Sequence, residues 1–151
     1  MSLNETLIKL YDRDLAKLRE EIEAYKDEAS LWSRYGELPN SGGNLALHLC
    51  GNLRHFLGAV LGNSDYVRDR DAEFAMRDVP RDEILTAIDE TREVVSATLL
   101  KLTADDFAKT YPLEVLGYTM TTEYFLIHLV GHLSYHLGQI NYHRRTVSLA
   151  A

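Results

Sequence analysis

The sequence predicts an all-α protein, a four-helix bundle built by a single domain that spans residues 1–151. Apolar residues recur at helical spacing in four separate segments, and no segment alternates apolar and polar residues as a half-buried strand does. Apolar residues make up 46% of the chain and charged residues 26%, which is typical of soluble globular domains. The length is sufficient for one buried core.

The first predicted helix covers about residues 3–28 and carries one narrow apolar stripe. Its apolar residues follow steps of three and four: Ile8, Tyr11, Leu15, Leu18, Ile22 and Tyr25. Ser2 and Glu5 have the spacing of a capping box at the helix start. The segment 36–43, rich in Gly, Pro and Asn, is predicted as a loop, and Trp32 and Tyr35 before it are expected to fold onto the core.

The second predicted helix covers about residues 44–61 and ends at Gly62 and Asn63. The charged stretch that follows, up to residue 79, looks too polar for a core and is predicted as a solvated connection. It is long for a hairpin between helices, so a crossover is the alternative. The third helix is predicted to begin near Pro80, a favourable first-turn residue.

Between the third and fourth helices, residues 103–107 have the pattern of a short capped turn. Residues 109–120 are β-prone and are predicted to be extended. The fourth helix is predicted over about residues 121–145. Its last turn contains His143, which is expected to serve the helix C-terminus, where cations are favourable. Gly131 and Gly138 are expected to allow close approach of neighbouring helices.

The charge of the chain argues against nucleic-acid binding. The net charge is −7 and the isoelectric point is near 5.3, so phosphates would be repelled on average. The single cysteine, Cys50, excludes an internal disulfide and favours a cytoplasmic location. No apolar run is long enough for a transmembrane helix, so no membrane association is expected.

Three histidines in the fourth helix, His128, His132 and His136, are the strongest chemical signal. Residues four apart lie on one helix face, with Cβ atoms about 5–6 Å apart, which suits two imidazoles on one metal ion. His128 and His136 are separated by about 12 Å of helix rise, so all three cannot bind the same ion.

The second helix offers the partner for such a pair. His48, Asn52 and His55 fall within about 60° of one another around the helix axis, whereas Cys50 points elsewhere and is expected to be inert. A neutral imidazole buried in a bundle must hydrogen-bond or coordinate. The pattern alone leaves open which histidines would share an ion.

Two segments, "NLALHLCGNLRHFLG" and "HLVGHLSYHLGQI", resemble the signature segments of the DinB/YfiT-like superfamily of small four-helix proteins. The resemblance implies an up-down-down-up helix order, a homodimer and a divalent metal, nickel or zinc first, with manganese or iron as alternatives. It assigns the metal ligands to His48, His132 and His136. The residues expected to line the pocket or orient the ligands are Asn52, His55, His128 and Gln139.

The resemblance also implies two functional hypotheses. The first is a metal-dependent enzyme, a thiol-dependent S-transferase or a related hydrolase or isomerase, acting on a small-molecule thiol or electrophile. The alternative is a non-catalytic, stress-related binding protein with a structural or ligand-sensing metal site. A metal-free bundle with hydrogen-bonded histidines is the third interpretation. A fourth protein ligand would favour the structural site, since structural zinc is four-coordinate.

Overall fold

A computed structural model describes residues 1–150 as an all-helical bundle. Its α-helices are α1 Leu3–Ala24, α2 Gly42–Leu53, α3 Arg70–Ala75, α4 Arg81–Lys101, α5 Ala104–Ala108 and α6 Thr122–Ala150. A short 3-10 helix covers Ala29–Trp32, and a π-helical turn covers Arg54–Ala59. The four predicted long helices are therefore confirmed. Within residues 1–150, no helix combines the length and apolar character needed to cross a bilayer.

The four long helices surround one core, with α1 and α2 each packed against both α4 and α6. The Tyr11 hydroxyl donates to the Leu126 carbonyl, and the Tyr25 hydroxyl reaches His143, so α1 and α6 run in the same direction. The Asn4 amide donates to carbonyls at the end of α4, so α4 runs opposite to α1.

Helix α1 begins with the predicted capping box. The Ser2 hydroxyl accepts from the Glu5 backbone N–H, and the Glu5 carboxylate accepts from the Ser2 backbone N–H. The helix ends at Ala24, four residues before the predicted end, because Tyr25 turns to ψ 134° and enters the core. Trp32 is buried as predicted, but Tyr35 is exposed.

Helix α2 starts earlier than predicted and ends differently. Ser41 is its N-cap and accepts from the Asn44 backbone N–H, so Gly42 and Gly43 are helical and not part of the loop. From Arg54 the turn widens to π-helical hydrogen bonding. The Tyr111 hydroxyl donates to the Phe56 carbonyl within this turn. Widened turns of this kind often occur at functional sites.

The connection between α2 and α4 is not the solvated loop predicted from its charge. It contains α3, which packs on α2, and Glu73 in α3 is buried. The Asn44 amide donates to the Glu73 and Met76 carbonyls and fastens α3 to the start of α2. As predicted, the next long helix follows Pro80, which is the N-cap of α4.

The segment between α4 and α6 contains α5, which has the predicted capped start at Thr103. Residues 109–120 are not a strand: among the described residues they form only an isolated bridge from Thr110 to Thr121. Helix α6 then continues beyond residue 145 to Ala150. A Cβ atom built at Gly131 or Gly138 has no neighbouring atom within 4 Å, so these glycines do not allow close helix packing within the chain.

His143 lies in the core, whereas it was predicted to lie in the last turn of the helix and to serve the helix C-terminus. Its Nδ1 is 2.6 Å from the Tyr25 hydroxyl, and its Nε2 is 2.7 Å from the Ser33 carbonyl oxygen. Since the carbonyl can only accept, Nε2 carries the proton and Nδ1 accepts from Tyr25. The neutral ring therefore joins α6, the end of α1 and the following loop.

We expect His143 to make folding stability depend on pH. Burial lowers its pKa, although the hydrogen bond to Ser33 opposes the shift. The unfolded chain then binds a proton as pH falls through about 6.5 and the folded chain does not. This group's contribution therefore decreases on acidification, by at most about 1.4 kcal/mol per pH unit.

Urea unfolding of the wild type and His143→Gln at several pH values tests this expectation. The wild type should be the more stable at about pH 8, and the difference should shrink towards about pH 5. Two curves that stay parallel over this range would contradict it. His132 and His136 are present in both proteins, so their titration does not affect the comparison.

Candidate metal centre

Three histidine side chains from α2 and α6 converge near the middle of the bundle. His48 Nε2 lies 3.2 Å from His132 Nε2, and the His136 ring centroid lies 5.2 Å from that of His48 and 4.6 Å from that of His132. One ring nitrogen of each residue lies within 4.8 Å of those of the other two. The structure therefore brings together the three residues that the resemblance selected.

The orientation of His48 is fixed by a buried carboxylate. His48 Nδ1 lies 3.0 Å from Glu73 Oε1, and both side chains are buried. Because the ionised carboxylate can only accept, Nδ1 carries the proton of the neutral ring, and the Nε2 lone pair faces the other two histidines. A histidine bonded to a carboxylate in this way is the usual arrangement of a metal ligand.

Glu73 is held in turn by Arg68. The Nε atom and one terminal nitrogen of Arg68 each donate a hydrogen bond of 2.9 Å to a different carboxylate oxygen. Burial opposes ionisation of Glu73, but the hydrogen bonds from His48 and Arg68 and the charge of Arg68 together bring its pKa below the ordinary value. The carboxylate is therefore ionised at neutral pH, and it holds the His48 ring in place.

His136 is oriented from its own helix. Its Nδ1 lies 2.7 Å from Gln139 Oε1, one turn further along α6. An amide oxygen only accepts, so Nδ1 donates and the Nε2 lone pair is left for a ligand. Burial lowers the pKa of His136, although the hydrogen bond that His136 donates to Gln139 opposes this shift.

His132 completes the cluster and remains uncharged. Burial, followed by the neighbouring His136 and His48, lowers its pKa to about 3. Its Nδ1 is buried without a hydrogen-bond partner in the described part of the chain. A protonated ring at this position would face two other imidazoles, so the neutral form of His132 is favoured.

This donor set fits a divalent cation. Two Nε2 lone pairs are fixed by hydrogen bonds on the opposite ring nitrogens, and the third ring is neutral. Uncharged imidazole is a preferred ligand of zinc, nickel and other transition metals. His48, His132 and His136 are the residues that could hold the ion.

A cavity of about 380 Å³ adjoins the cluster, and all three histidines line it. Phe56, Phe74 and Phe125 form much of its apolar wall, and two arginines, Arg68 and Arg70, line it as well. The Phe74 ring centroid lies 4.8 Å from that of His48. The cluster is thus accessible to a small molecule.

The remaining predicted site residues are divided between the cavity and other places. Asn52 and His128 line the cavity, and Gln139 positions His136 as described. His55 is not among the lining residues; its ring packs on Phe56, a residue of the π-helical turn that itself lines the cavity. Cys50 is buried and free, as expected, and burial raises the pKa of its thiol to about 11.

Four residues around the site were not predicted from the sequence, and all of them lie in the charged connection: Arg68, Arg70, Glu73 and Phe74. Their nearest sequence signal is Asp69, whose side chain accepts from the Ala72 backbone N–H and caps α3. A capped turn around Phe74 in an otherwise charged stretch could have indicated a short helix with a buried side.

Comparison with known proteins gives the family of the chain. Residues 5–150 match the model of DUF1572, described as a protein family of unknown function. The chain belongs to the DUF1572 family. No curated protein matches this DUF1572 sequence.

Two solved structures share the fold of this DUF1572 member. A DinB-like protein from Bacillus cereus has a TM-score of 0.73 at 16% identity, with 95% of this chain and 92% of that chain covered. YfiT from Bacillus subtilis has a TM-score of 0.71 at 18% identity, with 98% and 90% covered. YfiT is described as a probable metal-dependent hydrolase with an unusual four-helix bundle topology. These similarities confirm the predicted four-helix fold and the resemblance to the DinB/YfiT-like superfamily at the level of the fold.

A substitution at Gly51 tests whether Glu73 supports the His48 ring. A Cβ atom at Gly51 would overlap the Glu73 carboxylate, whereas one at Gly131 meets nothing within 4 Å. Gly51→Ala must displace Glu73 from His48 and Arg68, and we expect a loss of about 1–3 kcal/mol in the free energy of unfolding. Gly131→Ala should be neutral or stabilising by up to about 1 kcal/mol, since alanine favours the helix.

Denaturant unfolding of the two variants beside the wild type measures this contrast. Both changes add one methyl group to a helical glycine, so helix propensity alone predicts the same sign for both. Equal gains in stability at the two positions would show that Glu73 moves aside at no cost.

Proposed function

We propose that this chain is a metal-dependent enzyme in which His48, His132 and His136 bind one divalent cation, nickel or zinc. The observation that carries the proposal is the convergence of three imidazoles beside an accessible cavity. YfiT, which shares the fold, is described as a probable metal-dependent hydrolase. That description supports the same general chemistry here.

An open metal site is favoured over a structural one. Structural zinc sites are closed by four protein ligands, whereas catalytic sites have three and keep a position for water or substrate. Within residues 1–150, the wall of the cavity contains no cysteine, aspartate or glutamate that could serve as the fourth ligand. His128, the remaining histidine in the wall, is exposed and stacks on Phe125.

The chain's own residues would prepare this site for reaction with a small molecule. When bound, a divalent cation acidifies a water or thiol and polarises a carbonyl group. Glu73 and Gln139 accept hydrogen bonds from the Nδ1 atoms of His48 and His136, so the Nε2 atoms of these residues could hold the ion. The phenylalanine wall offers an apolar surface to the substrate. Water as the nucleophile gives a hydrolase, and a small thiol gives an S-transferase.

The metal content of untagged protein tests the proposal first. We expect about one divalent ion per chain, and we expect His136→Ala to lose it because one of three ligands is removed. His128→Ala is the matched control, since it also removes an imidazole from the cavity wall. It should keep the metal. Chelation should lower the melting temperature of the wild type and leave that of His136→Ala unchanged.

Turnover by metal-loaded protein then tests catalysis. Activated esters and lactones in water report a hydrolase, and an electrophile offered with low-molecular-weight thiols reports a transferase. Either activity should be lost in His136→Ala and kept in His128→Ala. Metal loss in both variants, or turnover that survives in His136→Ala, would contradict the proposed centre.

We also propose that the protein forms a homodimer through α6. Ile127, Tyr135, Tyr142 and Leu149 are each more than half exposed and lie within about 80° around the helix axis. A second copy of this face would cover the stripe by two-fold symmetry.

Analytical ultracentrifugation tests this assembly. The wild type should sediment as a dimer of the 17.2 kDa chain, and Tyr142→Glu should shift it to monomer because a charge would be buried in the interface. Leu100→Glu, which alters an exposed apolar residue on α4, should remain dimeric. A monomeric wild type at micromolar concentration would refute the proposal.

A further inference from the structure

The charged side chains that line the cavity are positive, whereas the net charge of the whole protein is negative. The chain has a net charge of −7, yet no carboxylate from residues 1–150 lines the cavity, and two arginines do. Glu73 lies behind the cavity wall, where its carboxylate accepts hydrogen bonds from Arg68 and His48. A cleft lined by one sign of charge with apolar walls raises the local concentration of ions of the opposite sign.

The two arginines differ in how they are engaged. Arg68 gives two hydrogen bonds to Glu73, so its charge is already matched. Arg70 is exposed, and its guanidinium makes no ion pair or hydrogen bond with any residue of the described chain. It lies 5.1 Å from the centroid of the Phe74 ring, which in turn lies against His48. An unmatched cation therefore sits at the cavity beside a metal ligand.

Asn52 adds a second polar group with unmet hydrogen bonding. Its side chain lines the cavity one helical turn from His48, and the residue is only 6% exposed. Its Oδ1 is buried without a hydrogen-bond partner among residues 1–150. A buried amide of this kind costs free energy unless a ligand or water completes its hydrogen bonds.

We propose that the substrate is a small organic anion whose carboxylate pairs with Arg70. Its reacting group lies near Asn52 and the three histidines. This inference rests on the proposed metal centre and narrows the substrate class to carboxylates. The planar guanidinium suits a carboxylate in particular, because it can donate two parallel hydrogen bonds. The stacking on Phe74 limits the conformations of Arg70 and so lowers the entropic cost of the pairing.

Binding to cobalt-substituted protein tests the inference without an activity assay. The probes are 3-mercaptopropionate and 4-mercaptobutanoate, each compared with its uncharged amide. Thiolate binding changes the visible spectrum of the cobalt ion, and this change gives the dissociation constant. We expect the acids to bind about tenfold more tightly than the amides at low ionic strength. The preference should decrease as salt is added.

Arg70→Gln should bring the ratio between acid and amide close to one and leave the affinity for the amides unchanged. Arg13→Gln, which removes the same charge from an exposed position on α1, should keep the wild-type ratio.

Amides that bind as tightly as acids in the wild type would overturn the inference and leave the metal centre intact. An acid preference that survives in Arg70→Gln would also overturn it. A protein that shows no cobalt spectrum, or none that responds to any thiol, would overturn the proposed metal centre, and the carboxylate site with it.

Discussion

The buried contact between Arg68, Glu73 and His48 is the constraint on which the arrangement of the site depends. A carboxylate removed from water is stable only when its charge and lone pairs are matched, and Glu73 meets this condition through both neighbours. The same three residues tie the connection that contains α3 to helix α2. The direction of the His48 ring is therefore set by a segment that contributes no ligand itself. Gly51 leaves the space that this arrangement requires.

Local sequence patterns were sufficient to predict the four long helices. The α1 stripe of Tyr11, Leu15 and Leu18 is buried as expected, because a helix in a bundle must cover one apolar face. The predicted helix ends were less accurate where tertiary packing overrides the local helix propensity. Tyr25 leaves the helix to reach His143, a partner 118 residues away that no local pattern could indicate.

The site was predictable to the extent that it depends on helical spacing. His132 and His136 lie one turn apart, and the resemblance selected His48 as their partner. The place of His55 could not be predicted in the same way, because the π-helical turn that begins at Arg54 departs from the 100° step of an α-helix. Arg68 and Glu73 were missed since charged residues in a charged stretch usually face water. Their burial depends on each other and on His48, which lies 25 residues from Glu73 in sequence.

The burial of Cys50 has a consequence for the chemistry that the cavity can accommodate. With a pKa raised to about 11, only about one in ten thousand of these thiols is ionised at pH 7. The sulfur atom is also buried inside the bundle, and Cys50 is the single cysteine of the chain. An electrophile that enters the histidine-lined cavity therefore finds no protein thiolate to alkylate. The burial of Cys50 thus protects the chain from alkylation at its own thiol.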